Sequence, residues 1–466
     1  MSKPAAEKNP TGFSILQLSG ALLDNLGTLG YHTMTPIQAR SLPSVLAGKD
    51  IIAQAKTGSG KTAAFGLGLL EKLDVKKFRV QSLVLCPTRE LADQVARELR
   101  KLGRGIHNIK ILTLCGGMPF GPQLGSLEHG AHIIVGTPGR VEEHLRKQSL
   151  KLETLTTLVL DEADRMLDMG FQTALDAIIE YLPGQRQNLL FSATYPKQIE
   201  SIARRVMTEP VMVQVDEVHE EGNITQFFYP VQDDSHRMAA LRALLLSSQP
   251  DSTLVFCTTK VETAEVAREL ESHGFSAVAL HGDLEQKDRD QILVRFANKS
   301  VSVLVATDVA ARGLDVEALD CVINLRIPRD LEVYTHRIGR TGRAGRQGFA
   351  CAFYTPGERF KFEALAKHLQ QELISSPLPA ANLALKPARP NMVSLQIEGG
   401  KKQKLRPGDI LGALTGENGV AAGEVGKITL FDNCAYVAVT REAAQTAERK
   451  ISQGKLKGRS FRVRRL

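Results

Sequence analysis

Ala55-Lys56-Thr57-Gly58-Ser59-Gly60-Lys61-Thr62, followed a domain's length later by Asp161-Glu162-Ala163-Asp164, decides the fold of this chain. The first segment fits G-x-x-x-x-G-K-[ST] except at its first position. It is entered from the apolar run Asp50-Ile51-Ile52-Ala53-Gln54 and leads into Thr62-Ala63-Ala64-Phe65-Gly66-Leu67, so it reads as strand, loop and helix. Gly58 and Gly60 let consecutive N–H groups at a helix N-terminus face phosphate oxygens, Lys61 adds a point charge, and Thr62 offers a hydroxyl to Mg²⁺. Ala55 stands where the strict pattern has glycine, which predicts an ordinary negative φ there.

The carboxylates follow Leu158-Val159-Leu160, a short apolar run suited to a buried parallel strand. Asp161 then emerges at the strand's carboxyl end, where open α/β sheets bind ligands. In that setting Asp161 holds a Mg²⁺ shell and Glu162 orients or deprotonates an attacking water. An acidic string of this kind is weak alone, because acids are common at helix starts. Behind a buried strand and a phosphate loop it points to nucleoside triphosphate hydrolysis.

Further motifs run in order from Phe13 to about Leu373. They are Gly30-Tyr31 with Thr35-Pro36-Ile37-Gln38, Pro87-Thr88-Arg89-Glu90-Leu91, Gly116-Gly117, Thr137-Pro138-Gly139-Arg140 and Ser192-Ala193-Thr194. The series continues with Val255-Phe256-Cys257, Leu280-His281-Gly282, Ala306-Thr307-Asp308-Val309-Ala310-Ala311-Arg312-Gly313-Leu314-Asp315 and His336-Arg337-Ile338-Gly339-Arg340-Thr341-Gly342-Arg343. With the two segments above, this set resembles the DEAD-box RNA helicases. The resemblance implies two RecA-like lobes, ATP and Mg²⁺ as cofactors, and RNA as partner.

Several roles come with that resemblance. Lys61, Glu162, Arg340 and Arg343 are implied as catalytic, the two arginines reaching the γ-phosphate from the second lobe in the arginine-finger role. Tyr31 is implied to stack on the base and Asp315 to accept from the ribose hydroxyls. Gln38 reads adenine on chemical grounds, since a carboxamide donates to N7 and accepts from N6, a pairing that guanine does not match. Ser192 and Thr194, near Asp164 and His336 in such a fold, are expected to relay between nucleotide and RNA. Thr88, Arg89, Gly117, Thr137, Gly139 and Arg140, with Thr307 and Asp308 on the second lobe, offer backbone-binding rather than base-reading chemistry.

Length and charge set the rest. At about 150 residues per domain, 466 residues imply roughly three domains. The net charge is +8, yet Lys386 to Leu466 carries sixteen Lys or Arg against seven Asp or Glu, a net +9, so the preceding 385 residues sum to −1. The basic excess therefore belongs to the tail, as a nucleic-acid-binding module requires. Cys86, Cys115, Cys257, Cys321, Cys351 and Cys434 form no Cys-x-x-Cys pair, which favours reduced thiols and a reducing compartment. The polar Met1 to Pro10 lacks a signal core, and no run approaches the roughly 20 apolar residues of a membrane span. The expectation is a cytoplasmic monomer with no membrane partner.

Strand-like runs alternate with helical patterns twice, near Asp50–Gln54, Ser82–Cys86, Ile109–Leu114, His132–Val135, Thr157–Leu160 and Asn188–Phe191, then near Thr253–Cys257, Ala277–Leu280, Val301–Val305, Cys321–Asn324 and Ala350–Tyr354. That alternation predicts α/β lobes with doubly wound parallel sheets. The expected division is a flexible 1–12, an ATP-binding lobe over 13–215, a linker over 216–225, a second lobe over 226–374 closing with a helix from Arg359 to Leu373, and a proline-bearing linker over 375–390. The tail, 391–466, reads β-α-β-β-α-β: strands Met392–Ile397, Gly426–Leu430, Ala435–Val439 and Ser460–Arg464, helices Pro407–Leu414 and Arg441–Gln453. This is the order of an α+β RNA-recognition-motif domain.

The usual aromatic recognition signature is missing from the tail, where only Tyr436 on its strand is placed to stack a base. RNA is therefore expected at basic loops and edges, at Lys401, Lys402, Lys404, Arg406, Lys455, Lys457, Arg459, Arg462 and Arg464. Gly399-Gly400-Lys401-Lys402, Arg406-Pro407-Gly408-Asp409-Ile410-Leu411-Gly412-Ala413-Leu414-Thr415-Gly416 and Gly454-Lys455-Leu456-Lys457-Gly458 resemble the tail of the bacterial DbpA subfamily, as does Pro119-Phe120-Gly121 after Gly116-Gly117. That resemblance implies a 23S rRNA hairpin as ligand and large-subunit assembly intermediates as partners. An ATP-gated RNA clamp or assembly scaffold is the alternative, and DNA translocation a third possibility; intact Glu162, Arg340 and Arg343 favour turnover.

Overall fold

The structure, a computed structural model, describes residues 11–55, 58–195, 197–215, 224–311, 319–342, 347–379 and 385–466. Two compact units, Met1–Val218 and His219–Leu466, divide the chain. The first holds strands β1 (Ile51–Gln54), β2 (Ser82–Leu85), β3 (Ile111–Leu114), β4 (Ile133–Gly136), β5 (Thr157–Asp161), β6 (Gln187–Ser192) and β7 (Val211–Gln214) in one sheet of order β3-β4-β2-β5-β6-β1-β7. Every pairing in it is parallel. Its central strands are buried along apolar stretches such as Leu158-Val159-Leu160 and Leu189-Leu190-Phe191 because helices cover both faces; Phe65, for instance, packs its ring 5.3 Å from Phe191.

The order matters for function. Strand β6 lies between β1 and β5, with Gln54 opposite Ser192 and Asp161 opposite Phe191. The segments that leave β1, β5 and β6 therefore meet at one edge of the sheet. These segments are the phosphate loop, Asp161-Glu162-Ala163-Asp164 and Ser192-Ala193-Thr194.

In the second unit, β8 (Ile224–Pro230), β9 (Thr253–Cys257), β10 (Ala277–Leu280), β11 (Val303–Thr307), β12 (Cys321–Asn324) and β13 (Gly348–Tyr354) form a second parallel sheet of order β10-β11-β9-β12-β13-β8. Two strands go beyond the sequence expectation, β7 and β8, which are edge strands; β8 begins inside the stretch expected as linker. The helix expected to run to Leu373 stops at Leu369, because Gln370 turns into the left-handed region at φ 53° and its N–H closes onto the Ala366 and Lys367 carbonyls.

The tail belongs to the second unit and has the expected β-α-β-β-α-β order. Strands β14 (Met392–Ile397), β15 (Val425–Leu430), β16 (Ala435–Thr440) and β17 (Val463–Arg465) form an antiparallel sheet of order β15-β16-β14-β17, with helices Pro407–Thr415 and Ala444–Gln453. One sheet face buries Leu395, Ile397, Val437 and Val439 with Ile410, Leu414, Ala447 and Ile451.

The opposite face corrects the sequence reading. Ser394, Gln396 and Tyr436 look solvent-facing in the alternating pattern, yet they are 0%, 4% and 1% exposed. Helix Gln286–Ala297 and the turn after it, from the parallel-sheet lobe of the same unit, cover them. Asn298 Nδ2 donates to Ser394 Oγ at 3.0 Å, Ser300 and Ser394 share a hydroxyl contact at 2.8 Å, and Gln291 Nε2 donates to Gln396 Oε1 at 3.0 Å. Arg464, expected among the RNA ligands, forks onto the same Gln396 oxygen at 3.1 and 2.8 Å. Tyr436 is thus a packed residue, with Phe431 edge-on at 5.6 Å, and its phenol is raised in pKa chiefly by burial. It does not present a face to a base.

Among the described residues no helix is long and apolar enough to cross a membrane. The six cysteines form no disulfide; five are buried and Cys434 is half-buried.

Candidate active site and nucleic-acid track

The phosphate loop is strung between β1 and helix Lys61–Glu71. Ala55 carries no positive φ; its N–H donates to the Ser192 carbonyl at 3.0 Å, so the residue extends the strand pairing rather than starting a turn. Gly60 caps the helix at φ 92°, where a Cβ would lie 2.5 Å from Gln38 Nε2. Both the backbone and the close neighbour therefore require glycine. Lys56 and Thr57 lie outside the described residues.

Gln38 is buried, its amide engaged at both ends. The Oε1 accepts from the Thr35 N–H at 2.9 Å, which caps helix Pro36–Leu46, and the Nε2 donates to the Gly60 carbonyl at 3.1 Å. The adenine-reading candidate is thus attached directly to the phosphate loop. Tyr31 donates its hydroxyl to Glu98 at 2.7 Å and has Lys101 over its ring at 5.5 Å. Burial first, and then the Glu98 carboxylate, raise its phenol, so it is a neutral ring on a fixed stalk. Glu98 carries no motif signal and escapes sequence reading.

Lys61 is 6% exposed and donates to the Ala55 carbonyl at 2.8 Å. Asp161 is 3% exposed, with an Oδ1 that is buried and has no hydrogen-bond partner among the described residues. Burial, against the pull of the Lys61 ammonium and with the Glu162 charge adding to it, pushes its carboxyl up to about 7. A buried carboxylate oxygen with unmet acceptor capacity fits a divalent cation, which would relieve the burial cost of its charge. Glu162 is 8% exposed and sits at φ 52° as the N-cap of helix Ala163–Asp168. A non-glycine residue in that region is strained by roughly 1–3 kcal/mol, a cost that concentrates at functional positions.

Asp164, Ser192 and Thr194 are joined. Asp164 N donates to Ser192 Oγ at 3.3 Å, while Thr194 N and Oγ1 both donate to Asp164 Oδ2 at 3.1 and 3.0 Å. The second acceptor, Oδ1, takes the Arg165 N–H at 3.0 Å. This links the carboxyl end of β6 to the helix that follows Glu162.

In the second unit, His336 lies on helix Leu331–Ile338 and Arg340 just beyond it. The Arg340 carbonyl accepts from Leu319 N at 3.2 Å, and the neighbouring Thr341 hydroxyl donates to the Leu319 carbonyl, so the backbone that carries the arginine is pinned. Asp315 and Arg343 lie outside the described residues. Asp308 is committed internally. Arg337 grips it through Nε at 2.6 Å and Nη2 at 2.7 Å and donates to Asn324 Oδ1 at 2.8 Å. Arg337 lies inside the His336-to-Arg343 motif but was given no role from sequence; its bidentate partner supplies one, holding the helix to the end of β11. Thr307 Oγ1 accepts from Ala310 N at 3.4 Å, an ordinary cap.

The backbone-binding candidates of the first unit gather beyond β2, β3 and β4. Thr88 is 7% exposed and caps helix Arg89–Leu102 by accepting from Leu91 N at 3.2 Å. The Arg89 guanidinium lies so close to Gly117, at φ 72°, that a Cβ would stand 1.8 Å from its Nη1. Thr137 Oγ1 accepts from Gly116 N at 3.4 Å. A Cβ on Gly139 would meet nothing within 4 Å, which leaves space for an approaching backbone. Arg140 Nη1 donates to the Met118 carbonyl at 2.9 Å and Gln123 Oε1 at 3.0 Å, and its Nε pairs with Glu143 at 3.0 Å.

In the tail, two loops far apart in sequence meet. Leu405 and Leu456 are buried in one core. Lys457 Nζ donates to the Lys404 carbonyl at 2.7 Å and pairs with Asp409 at 3.1 Å. Lys401, Lys402, Lys404, Arg406, Lys455, Lys457 and Arg459 are all exposed. With the sheet face covered by Asn298, Ser300 and Gln291, this joined pair of basic loops is an exposed cationic surface of the tail, and Arg462 is exposed as well.

The comparisons with known proteins agree with this anatomy. Residues 35–202 match the family described as DEAD/DEAH box helicase, 236–345 the helicase conserved C-terminal domain, and 394–465 the DbpA RNA binding domain. The chain is 52% identical over 457 residues to the ATP-dependent RNA helicase DbpA of Escherichia coli strain K12, covering 98% of this chain and 100% of that one. It is 45% identical over 377 residues to the DEAD-box ATP-dependent RNA helicase CshA of Bacillus cereus, over 80% of this chain and 71% of the relative. Among solved structures, S. cerevisiae Dbp5 bound to RNA and ADP BeF3 aligns with a TM-score of 0.72 at 30% identity, covering 79% of this chain and 96% of that one. Mss116p bound to ssRNA and AMP-PNP aligns with a TM-score of 0.71 at 26% identity, covering 81% of each. Two RecA-like lobes that carry these motifs, followed by an RNA-binding tail of the DbpA type, place the chain in the DEAD-box family of ATP-dependent RNA helicases, which are RNA-dependent ATPases.

Proposed function

We propose that the protein hydrolyses ATP in a centre completed only when ATP and RNA bring its two units together, and that the tail directs it to a structured ribosomal RNA, a 23S rRNA hairpin of the assembling large subunit. The observation that supports the catalytic half is the convergence of three strand ends, which sets Lys61, Asp161, Glu162 and the Asp164 network side by side. Lys61 and the loop amides hold the phosphates, Gln38 reads the adenine with Tyr31 stacking, and Glu162 orients or deprotonates water. Arg340, with Arg343 beyond the described residues, neutralises charge that develops on the terminal phosphate. Asp161 and Thr62 would hold Mg²⁺, which when bound screens the phosphate oxygens. Asp315 is assigned to the ribose by its motif.

Thr88, Arg89, Gly117, Thr137, Gly139 and Arg140 form the RNA backbone track on the first unit, continued by Thr307 and Asp308; because Asp308 is paired with Arg337, it serves by holding that helix. The Asp164–Ser192–Thr194 network, with His336, couples the two ligands. Replacing Ser192 and Thr194 together with alanine removes two side-chain hydroxyls from this network, while the Arg165 and Thr194 N–H groups stay on Asp164. ATP and RNA binding should persist while duplex separation falls about tenfold or more, given 1.5–3 kcal/mol for a hydrogen bond to a charged group. Wild-type unwinding yield by the double variant would contradict the coupling role.

Substrate choice is supported by the tail's paired basic loops and closed sheet face. Replacing Lys401, Lys402 and Lys455 with alanine should lower the slope of log affinity against log salt by about 2 if three phosphate contacts are lost. Preference for the ribosomal hairpin over generic RNA should vanish, with hydrolysis on generic RNA retained. Equal discrimination by variant and parent would show that these lysines do not choose the substrate. Cross-linking the protein to cellular RNA and mapping the sites tests the 23S assignment directly.

A further inference from the structure

Gln123 belongs to no motif, yet the polar contacts around the Gly116–Phe120 loop converge on it. It lies on helix Phe120–Glu128, donates through Nε2 to the Cys115 carbonyl at 3.0 Å, and receives Arg140 Nη1 on Oε1 at 3.0 Å. His144 Nε2 meets the same Oε1 at 3.1 Å. The amide works in one orientation, since turning it over would set an NH₂ group against a guanidinium.

His144 is fully buried, and burial, reinforced by the Arg140 charge, pushes its pKa down to about 4. The neutral ring donates from Nε2 to Gln123 and accepts at Nδ1 from Ser149 Oγ, 2.8 Å away. Phe120 stacks on that imidazole at 4.2 Å and 16°, and Lys147 lies 4.1 Å over the Phe120 ring. The amide is thereby clamped from both ends of its helix turn. Arg140, in turn, reaches past Gln123 to the Met118 carbonyl in the glycine loop.

We infer that Gln123 is a positioning residue for RNA engagement: it fixes the Arg140 guanidinium and the Gly116–Gly117–Met118 loop as one unit, with Phe120 and His144 as its supporting pillar. This rests on the assignment of Arg140 to the RNA track. A preset guanidinium loses less freedom on meeting a phosphate than a mobile one, so the effect falls on RNA affinity rather than on hydrolysis.

The test is a double-mutant cycle on the full chain, reading the half-saturating RNA concentration for ATPase stimulation. Gln123→Met keeps length and volume but no hydrogen bonds. It should raise that concentration about tenfold, with the maximal rate and the KM for ATP unchanged. Gln123→Glu, which keeps the oxygen that faces Arg140 but sets a second one against the Cys115 carbonyl, should recover only part of the loss. Arg140→Ala should also weaken RNA stimulation, and adding Gln123→Met to it should cost little more, because contacting residues acting through one group are not additive. If Arg140→Ala weakens RNA stimulation but Gln123→Met does nothing, or the two effects multiply in full, the positioning role is overturned and the RNA track stands. If Arg140→Ala has no effect, the track assignment itself fails, and the inference with it.

Discussion

Replacing Glu162 with Gln is expected to lower the maximal rate of RNA-stimulated ATP hydrolysis by about 10² to 10⁴, the contribution of a positioned general base. The substitution is nearly isosteric and leaves the strained backbone, at φ 52°, in place. It removes the proton acceptor together with the negative charge that raises Asp161, while keeping the size of the side chain. Lys61, Gln38 and the loop amides remain, so ATP binding should change little; a loss that falls on turnover with KM preserved marks an interaction made in the transition state. Steady-state hydrolysis with saturating RNA, beside equilibrium binding of a fluorescent ATP analogue, separates the two. The same variant distinguishes an enzyme from an ATP-gated clamp. A clamp would still remodel RNA at wild-type yield over many rounds, whereas an enzyme that must reset by hydrolysis stalls after one.

Replacing Arg340 with Ala should cost still more, about 10³ to 10⁵ in turnover, the range for arginine fingers in phosphoryl transfer. The backbone around it is pinned to Leu319 through the Arg340 carbonyl and the Thr341 hydroxyl. Truncation therefore deletes the charge without freeing the segment. Arg340→Lys should recover only part of the rate, since an ammonium cannot reproduce a planar fork that bridges two phosphate oxygens. RNA-independent ATP binding measured on Lys61's unit should be unaffected in both variants. A turnover within threefold of the parent for Arg340→Ala would remove this arginine from the chemistry.

Much of this was legible because the chemistry sits at the ends of buried strands. β2, β4, β5 and β6 are fully buried strands with apolar centres whose carboxyl ends are marked by the motifs themselves, so strand position and site position are read together. Edge strands offered no such contrast. Along Val211–Gln214 only Val213 is buried, and Ile224–Pro230 ends in a proline, which an edge tolerates and a central strand does not. The covered face of the tail was invisible for a different reason. Ser394 and Gln396 alternate with Leu395 and Ile397 as solvent-facing residues do, and their partners Asn298, Ser300 and Gln291 lie about a hundred positions earlier. Alternation reports which residues share a face; it does not report what covers it. Gln123, Glu98 and Arg337 likewise gained roles only from partners remote in sequence.

The composite centre is tested most directly by a structure of the full chain trapped with a non-hydrolysable ATP analogue and single-stranded RNA. The Arg340 guanidinium should then lie about 2.7–2.9 Å from an oxygen of the terminal phosphate that Lys61 also contacts. An Arg340 remote from that phosphate, with analogue and RNA both bound, would contradict hydrolysis by two units acting together.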